Sequence, residues 1–232
     1  MIEITWLGHS TFQLRVDSGE VLIIDPWMEG NPRRPEGWTP HRLDAILITH
    51  GHSDHMGDAM ALAKKYHPKV VANHEIATWL QGKGVGDVTG MNKGGTLDLG
   101  FVRATMTHAI HSSSIADGHA LLYGGEAGGY VLTFADRRRA YFAGDTAVFS
   151  DMALIAELYA PELAFLPIGD LYTMSPYEAA AACRMLRPKR VIPMHYGTFG
   201  ALTGTPQQLT EELRDLPGTE VWSLEPGQPV TW

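Results

Sequence analysis

The stretch THGHSDHMGD, residues 49–58, sets three histidines and an aspartate into the six positions from His50 to His55, directly after the apolar run Ala45-Ile46-Leu47-Ile48. A short apolar run bounded by polar residues reads as a buried strand, and alanines and leucine at helical spacing over residues 58–66 read as a helix. The histidines therefore occupy a strand-to-helix loop. Imidazole and carboxylate are the ligand set of zinc and of the harder first-row ions. His50 and His52, two apart in extended chain, point the same way. Asp54 and His55 follow at the helix start, displaced along the chain, so they face a second ion. Without metal, such a cluster would be desolvated or would repel itself on protonation.

Outward from this loop, the first residues alternate as strands do: Ile2, Ile4 and Trp6, then residues 11–16, a Ser18-Gly19 turn, and residues 21–24. Residues 27–39 (WMEGNPRRPEGWT) hold Gly30, Pro32, Pro35, Gly37 and two tryptophans, which excludes regular structure and suggests either a lid or a surface loop packed on the sheet edge. Further on, residues 70–72 form a strand and 75–81 a helix, and residues 97–108 and 119–133 read as antiparallel strands. The second half repeats the scheme, with strands at 141–143, 163–167 and 190–194 and helices at 151–159, 175–186 and 206–213. Ser175 caps its helix and Pro176 opens it. Two similar halves of strand and helix predict two sheets face to face with helices outside.

At 232 residues, with 44% hydrophobic and 19% charged residues, the chain suits one folded domain over 1–232. No stretch approaches the roughly 18 apolar residues of a membrane span, and MIEITWLGHS has no leader pattern, so a cytoplasmic protein is expected. The single cysteine, Cys183, excludes an internal disulfide and sits on an apolar helix face. A net charge of −8 argues against an extended nucleic-acid surface. The basic run Arg137-Arg138-Arg139 falls where a hairpin turn is expected. Homo-oligomer formation is left open, with the tryptophan loop as one candidate interface.

One loop cannot saturate two ions, so further ligands are required. Asp145 in YFAGDT, His195 in VIPMHYGTF and His111 in ATMTHAIHSS each follow a strand-like run, the edge at which α/β folds gather ligands. Together they complete two sites: His50, His52 and His111 on one ion, Asp54, His55 and His195 on the other, with Asp145 shared. His108 competes with His111 for the third position. His9 in WLGHSTF is a candidate donor or substrate contact, Asp25 in LIIDPW a candidate support for a ligand histidine, and Asp170 in PIGDLYTM a candidate supporting or substrate-contacting residue. His41, His67, His74 and His119 have no motif around them.

THGHSDHMGD, with GDT and PMHYGTF downstream and WLGHSTF upstream, resembles the metallo-β-lactamase superfamily over essentially the whole chain. WLGHSTF, IDPW and AIHSS are similar to its branch of small bacterial metal-dependent hydrolases, related to ascorbate-phosphate lactonase and to the phospholipase D that cleaves N-acyl-phosphatidylethanolamine. The resemblance implies a four-layer αββα sandwich of two mixed β-sheets flanked by helices, and the ligand set given above. Its A-x-H-S match favours His111 over His108.

The expected activity is hydrolysis by a metal-bound hydroxide at a dinuclear centre, cleaving an ester, lactone, amide or phosphodiester of a small substrate. Asp54 orients the water as well as binding metal, and His9 or a water protonates the leaving group. Zinc is the first candidate, with manganese, iron and nickel also suited. GHSDH is not the G-x-S-x-G elbow, so a covalent serine mechanism is disfavoured. The alternatives are a phosphodiesterase or nuclease acting on nucleic acid, and a metal-dependent sensor or scaffold without turnover.

Overall fold

The structure is a computed structural model that describes residues 1–232. In chain order its strands are β1 (Ile2–Trp6), β2 (Phe12–Val16), β3 (Val21–Ile24), β4 (Ala45–Leu47), β5 (Lys69–Asn73), β6 (Val88–Met91), β7 (Thr96–Asp98), β8 (Val102–His108), β9 (Ser114–Asp117), β10 (Ala120–Tyr123), β11 (Gly128–Phe134), β12 (Arg139–Phe142), β13 (Leu163–Pro167), β14 (Arg190–Met194), β15 (Glu220–Val221) and β16 (Pro229–Thr231). Its helices are α1 (Ser53–Met56), α2 (Ala59–Tyr66), α3 (His74–Gly82), α4 (Met152–Tyr159), α5 (Pro176–Leu186) and α6 (Pro206–Glu212). No helix is long and apolar enough to cross a membrane. The chain divides into two compact units: Met1–Asn92, Ser112–Ala127 and Leu224–Trp232 form unit 1, and Lys93–His111 with Gly128–Ser223 form unit 2.

Unit 1 holds a seven-stranded sheet in the order β16-β1-β2-β3-β4-β5-β6 and a separate ribbon of β9 and β10. Pairing is antiparallel from β16 to β3 and parallel from β3 to β6. Val21, Ile23, Ile46, Ile48, Val70 and Ala72 pack one face against Met56, Ala59, Ala63, Ile76 and Leu80 of the helices. The alternate residues Leu22, Ile24, Leu47 and Val71 are also buried. Burial on both faces is why β3, β4 and β5 read as continuous apolar runs rather than alternating ones. The 27–39 loop is fastened down: the Met28 and Glu29 amides donate to Asp58, and Asn31 Nδ2 donates to the Leu7 and Trp27 carbonyls at 3.3 and 3.1 Å. Trp38 packs on the core cluster.

Unit 2 holds the second seven-stranded sheet, β15-β14-β13-β12-β11-β8-β7. Here too one side is antiparallel, β7 to β12, and the other parallel, β12 to β15. Every residue of β13 is buried. Pro193 lies inside β14 without costing a ladder bond, because β15 pairs only with Arg190 and Val191 and leaves the outer edge beside Pro193 unmatched. Ser175 and Glu178 cap α5 reciprocally, with Pro176 at its first position, and Thr205 and Gln208 do the same for α6.

Two expectations need correction. Residues 97–108 are not one strand but the β7–β8 hairpin, turned by Gly100 at φ 86° with its amide donating to Asp98 Oδ1 at 2.8 Å. Residues 119–133 break at 124–127, so that β10 pairs with β9 and β11 joins the other unit's sheet. The basic run lies at the β11–β12 hairpin as expected, with Arg137 at φ 71° and Arg138 in the turn and Arg139 opening β12.

Candidate metal centre

In unit 1 the polar groups gather beyond the C-terminal ends of β3 and β4. Asp25 follows β3 in the left-handed region, φ 50°, and is fully buried. A non-glycine residue there is uncommon and marks a site where the surroundings hold the backbone in place. Its Oδ1 accepts the Thr49 amide at 2.8 Å; its Oδ2 accepts the Thr49 hydroxyl at 2.6 Å and His55 Nδ1 at 2.8 Å. Burial pushes the Asp25 carboxyl above its ordinary range, and His55 and Thr49 pull it back.

These bonds fix two tautomers. A carboxylate only accepts, so His55 donates from Nδ1 and keeps its lone pair on Nε2. Thr49 has one hydroxyl proton, which goes to Asp25, so at 3.0 Å from His50 Nδ1 its oxygen accepts. His50 therefore also presents Nε2. That nitrogen lies 3.0 Å from His52 Nδ1, while His52 Nε2 lies 3.4 Å from Ser112 Oγ, a hydroxyl that can either give or take a proton there. Without metal, His52 Nδ1–H donates to His50 Nε2; with that proton gone, both lone pairs face one point, where a cation can take its place. The donor set fits a divalent first-row ion.

Beside this pair, the ligand atoms of His9, Asp54 and His55 all lie within 4.8 Å of one another. His9 is fully buried with φ 54°, its Nε2 is 3.2 Å from Asp54 Oδ2, and its ring meets Trp27 edge-on at 5.1 Å. Gly8, at φ 93°, makes that turn: a Cβ on it would fall 2.8 Å from the Arg33 backbone. Asp54 is 26% exposed and is the group through which solvent reaches this set. Asp25, His50 and His55 also lie within 4.8 Å of one another, but both Asp25 oxygens are engaged by Thr49 and His55, which makes Asp25 an orienting group.

Unit 2 presents a smaller set at the matching edge of its sheet. Asp145 follows β12 through Gly144 and is 2% exposed; its Oδ2 is 2.9 Å from His195 Nε2 and 3.6 Å from His111 Nε2. His195 follows β14 at φ 56°. His111 is held beside Asp145 because the Ile110 amide donates to Thr146 Oγ1 at 3.0 Å and the Ala147 amide donates to the Ile110 carbonyl at 3.1 Å. His108 lies elsewhere, its Nδ1 2.8 Å from Lys93 Nζ and its ring 5.3 Å from Phe149. Asp170 is exposed, with Oδ1 accepting its neighbour Leu171's amide at 2.8 Å. Gly169 before it is required: a Cβ there would fall 2.1 Å from the His195 carbonyl oxygen. Thr49, Thr146, Ser112 and Ser113 lie inside the quoted segments THGHSDHMGD, GDT and AIHSS, but nothing in their residue type or spacing assigned them a role.

Residues 21–196 match the family model described as Beta-lactamase superfamily domain. A UPF0173 metal-dependent hydrolase of Solibacter usitatus (strain Ellin6076) is 61% identical over 231 residues, covering 100% of both chains. One of Koribacter versatilis (strain Ellin345) is 50% identical over 232 residues, covering 100% of this chain and 97% of the other. Among solved structures, Igni18, a novel metallo hydrolase from the hyperthermophilic archaeon Ignicoccus hospitalis KIN4/I, matches with a TM-score of 0.88 and 36% identity over 100% of this chain and 98% of that one. The segment matched by the family model runs from the first residue of β3 to just past His195, and so takes in every histidine and aspartate described above except His9. The chain belongs to the metallo-β-lactamase superfamily, among the UPF0173 metal-dependent hydrolases.

Proposed function

We propose that this protein hydrolyses an ester, lactone, amide or phosphodiester of a small substrate at a centre of two divalent metal ions, zinc first among the candidates. The observation that carries the reading is the pair of imidazole nitrogens at 3.0 Å, His50 Nε2 and His52 Nδ1, with the His50 tautomer set by Thr49 and that of neighbouring His55 set by Asp25. In this reading His50, His52 and His111 hold one ion, Asp54, His55 and His195 hold the other, and Asp145 is shared. The proximity of Asp145 to both His111 and His195 supports its shared role. Bound divalent ions supply Lewis acidity and a water whose pKa falls to about 7.

The chain's own residues do the remaining work. Asp25 and Thr49 keep His55 and His50 in the tautomers that leave Nε2 available, and burial keeps them from rotating. Asp54, the most exposed acid of the unit 1 set, orients the attacking water and takes up its proton. His9, 3.2 Å away, donates from Nε2 to the Asp54 carboxylate and holds it in place; it gives that proton to the leaving group and is reprotonated by Asp54, which carries the proton taken from the water.

The test combines elemental analysis of purified protein with a panel of nitrophenyl esters, lactones and bis-p-nitrophenyl phosphate, run before and after chelation. Two equivalents of metal and turnover that disappears with the chelator and returns with metal are expected. Two bound ions with no cleavage across the panel, together with capture of a partner, would move the reading to a metal-dependent sensor.

A further inference from the structure

Outside the ligand set, one buried polar chain in unit 1 ends on the backbone between His50 and His52. The Gly51 amide donates to Ser113 Oγ at 3.0 Å. Ser113 Oγ donates in turn to the Gly124 carbonyl at 3.0 Å, and the Gly124 amide returns a bond to the Ser113 carbonyl at 3.0 Å. These two residues close the root of the β9–β10 ribbon, one step beyond the pair Ser114 and Tyr123. The same Gly124 carbonyl accepts Asn73 Nδ2 at 2.7 Å, and that amide group also donates to the Glu126 carbonyl at 3.1 Å. Asn73 Oδ1 accepts the Ile76 amide at 2.9 Å, so the last member of the chain is the N-cap of α3.

Glycine at three positions is what lets these segments meet. A Cβ on Gly51 would fall 2.9 Å from the Ser114 carbonyl oxygen, and one on Gly124 3.1 Å from Ser113 Oγ. Gly125, at φ 73°, would place a Cβ 2.5 Å from Glu75 Oε2 and 2.7 Å from Asn73 Nδ2. Ser113 and Asn73 are 7% and 4% exposed, where a polar group persists only if it is bonded. The Gly51 N–H belongs to the His50–Gly51 peptide, so its bond to Ser113 sets the rotation of that plane, the first of the two between His50 and His52, and thereby the approach of His50 Nε2 to His52 Nδ1. The neighbouring Ser112 faces the other nitrogen of the His52 ring.

We propose that Ser113, backed by Asn73, is a positioning residue for the His50–His52 pair, fixing the separation at which both imidazoles grip one ion. The inference rests on the metal centre of the preceding section and concerns residues that take no part in binding it. Cobalt(II) titration followed by absorption tests it. Ser113→Ala should lose about 10–100-fold in affinity for one of two cobalt equivalents, with a shifted d–d band for that ion and the other unchanged. Asn73→Ala should weaken the same equivalent by a smaller factor, and it carries the test if Ser113→Ala does not fold. His52→Ala identifies which equivalent is concerned.

Wild-type affinity and spectrum for both equivalents in Ser113→Ala, whatever its stability, would overturn the role. If His52→Ala also bound cobalt as the wild type does, the metal reading would fall instead. A readout that needs no metal separates the two: long-range proton–nitrogen NMR of the metal-free protein should show His52 as the single Nδ1–H tautomer, donating to His50 Nε2, in the wild type and as a mixture in Ser113→Ala. One unchanged tautomer in both proteins would overturn the brace on its own.

Discussion

Units 1 and 2 are built on the same strand pattern and use it for different chemistry. In each seven-stranded sheet the antiparallel half meets the parallel half at one strand, β3 in unit 1 and β12 in unit 2. Each of these strands is followed by a buried aspartate, Asp25 or Asp145. The next strand, β4, leads into the histidine loop and α1, whereas its counterpart β13 leads into Gly169 and an exposed Asp170. The strand after that ends in Asn73 in unit 1 and is followed by His195 in unit 2. Where a parallel strand ends, backbone groups and side chains converge whatever their type, so the fold supplies places and the sequence decides what each place does. In unit 1 the aspartate is consumed by Thr49 and His55 and acts as an orienting group; in unit 2 it lies against two imidazoles.

Removing each aspartate breaks the comparison most directly. Asp145→Ala should lose bound metal and cut turnover by more than the roughly 10–100-fold typical of a residue that only supports a ligand. Elemental analysis and the ester panel check it, and retained metal with full activity would end the shared role of Asp145. Asp25→Asn should lower metal affinity by about 10–100-fold while keeping the full stoichiometry at saturating metal, because the ligands remain and only their support weakens. If Asp25→Asn instead lost an ion permanently, the two aspartates would be doing the same job. Exchanging the third position, Asn73→His, should cost more than the about 1 kcal/mol of the lost α3 cap alone, because both bonds from Asn73 Nδ2 go with it, read as a lower urea midpoint, and should add no metal.

The smallest effect concerns Cys183, on the buried side of α5. Burial pushes its thiol up to about 12, so in the native protein it stays protonated at pH 8 and should not react with a disulfide reagent. One thiol should appear on unfolding. Because the folded pKa lies above the ordinary 9.0, the unfolded chain gives up this proton first, and this group's contribution to stability is present below pH 9 and lost as pH rises towards 12. Urea midpoints at pH 8 and pH 10 measure the loss.

What could be read from sequence is what local chemistry decides. Residues 163–167 and 190–194 stand out as strands because both are apolar runs between polar turns, and they are β13 and β14 to the residue. Ser175-Pro176 announces α5 because a cap needs only its own first turn. The histidine loop is as visible because its ligand types are adjacent. The β7–β8 hairpin was hidden since Leu99, Gly100 and Phe101 interrupt the apolar pattern with a single glycine. The two- and three-residue strands β15 and β16 are too short to show a period, and they exist through their neighbours' pairing. The Asn73–Gly124–Ser113–Gly51 brace joins residues far apart in the chain by hydrogen bonds that leave no spacing to detect.

The interleaving of the two units has a consequence for how the molecule is made. Unit 1 needs three stretches of chain, and the outermost strand of its sheet, β16, comes from the last of them while its neighbour β1 comes from the first. During synthesis β1 emerges long before the segment that will cover its flank, and its amides and carbonyls on that side wait as an open template for wrong partners. Contacts this distant in sequence form slowly, so β1 amides facing β16 should be among the last to gain exchange protection on refolding, after the helices and the parallel half are in place.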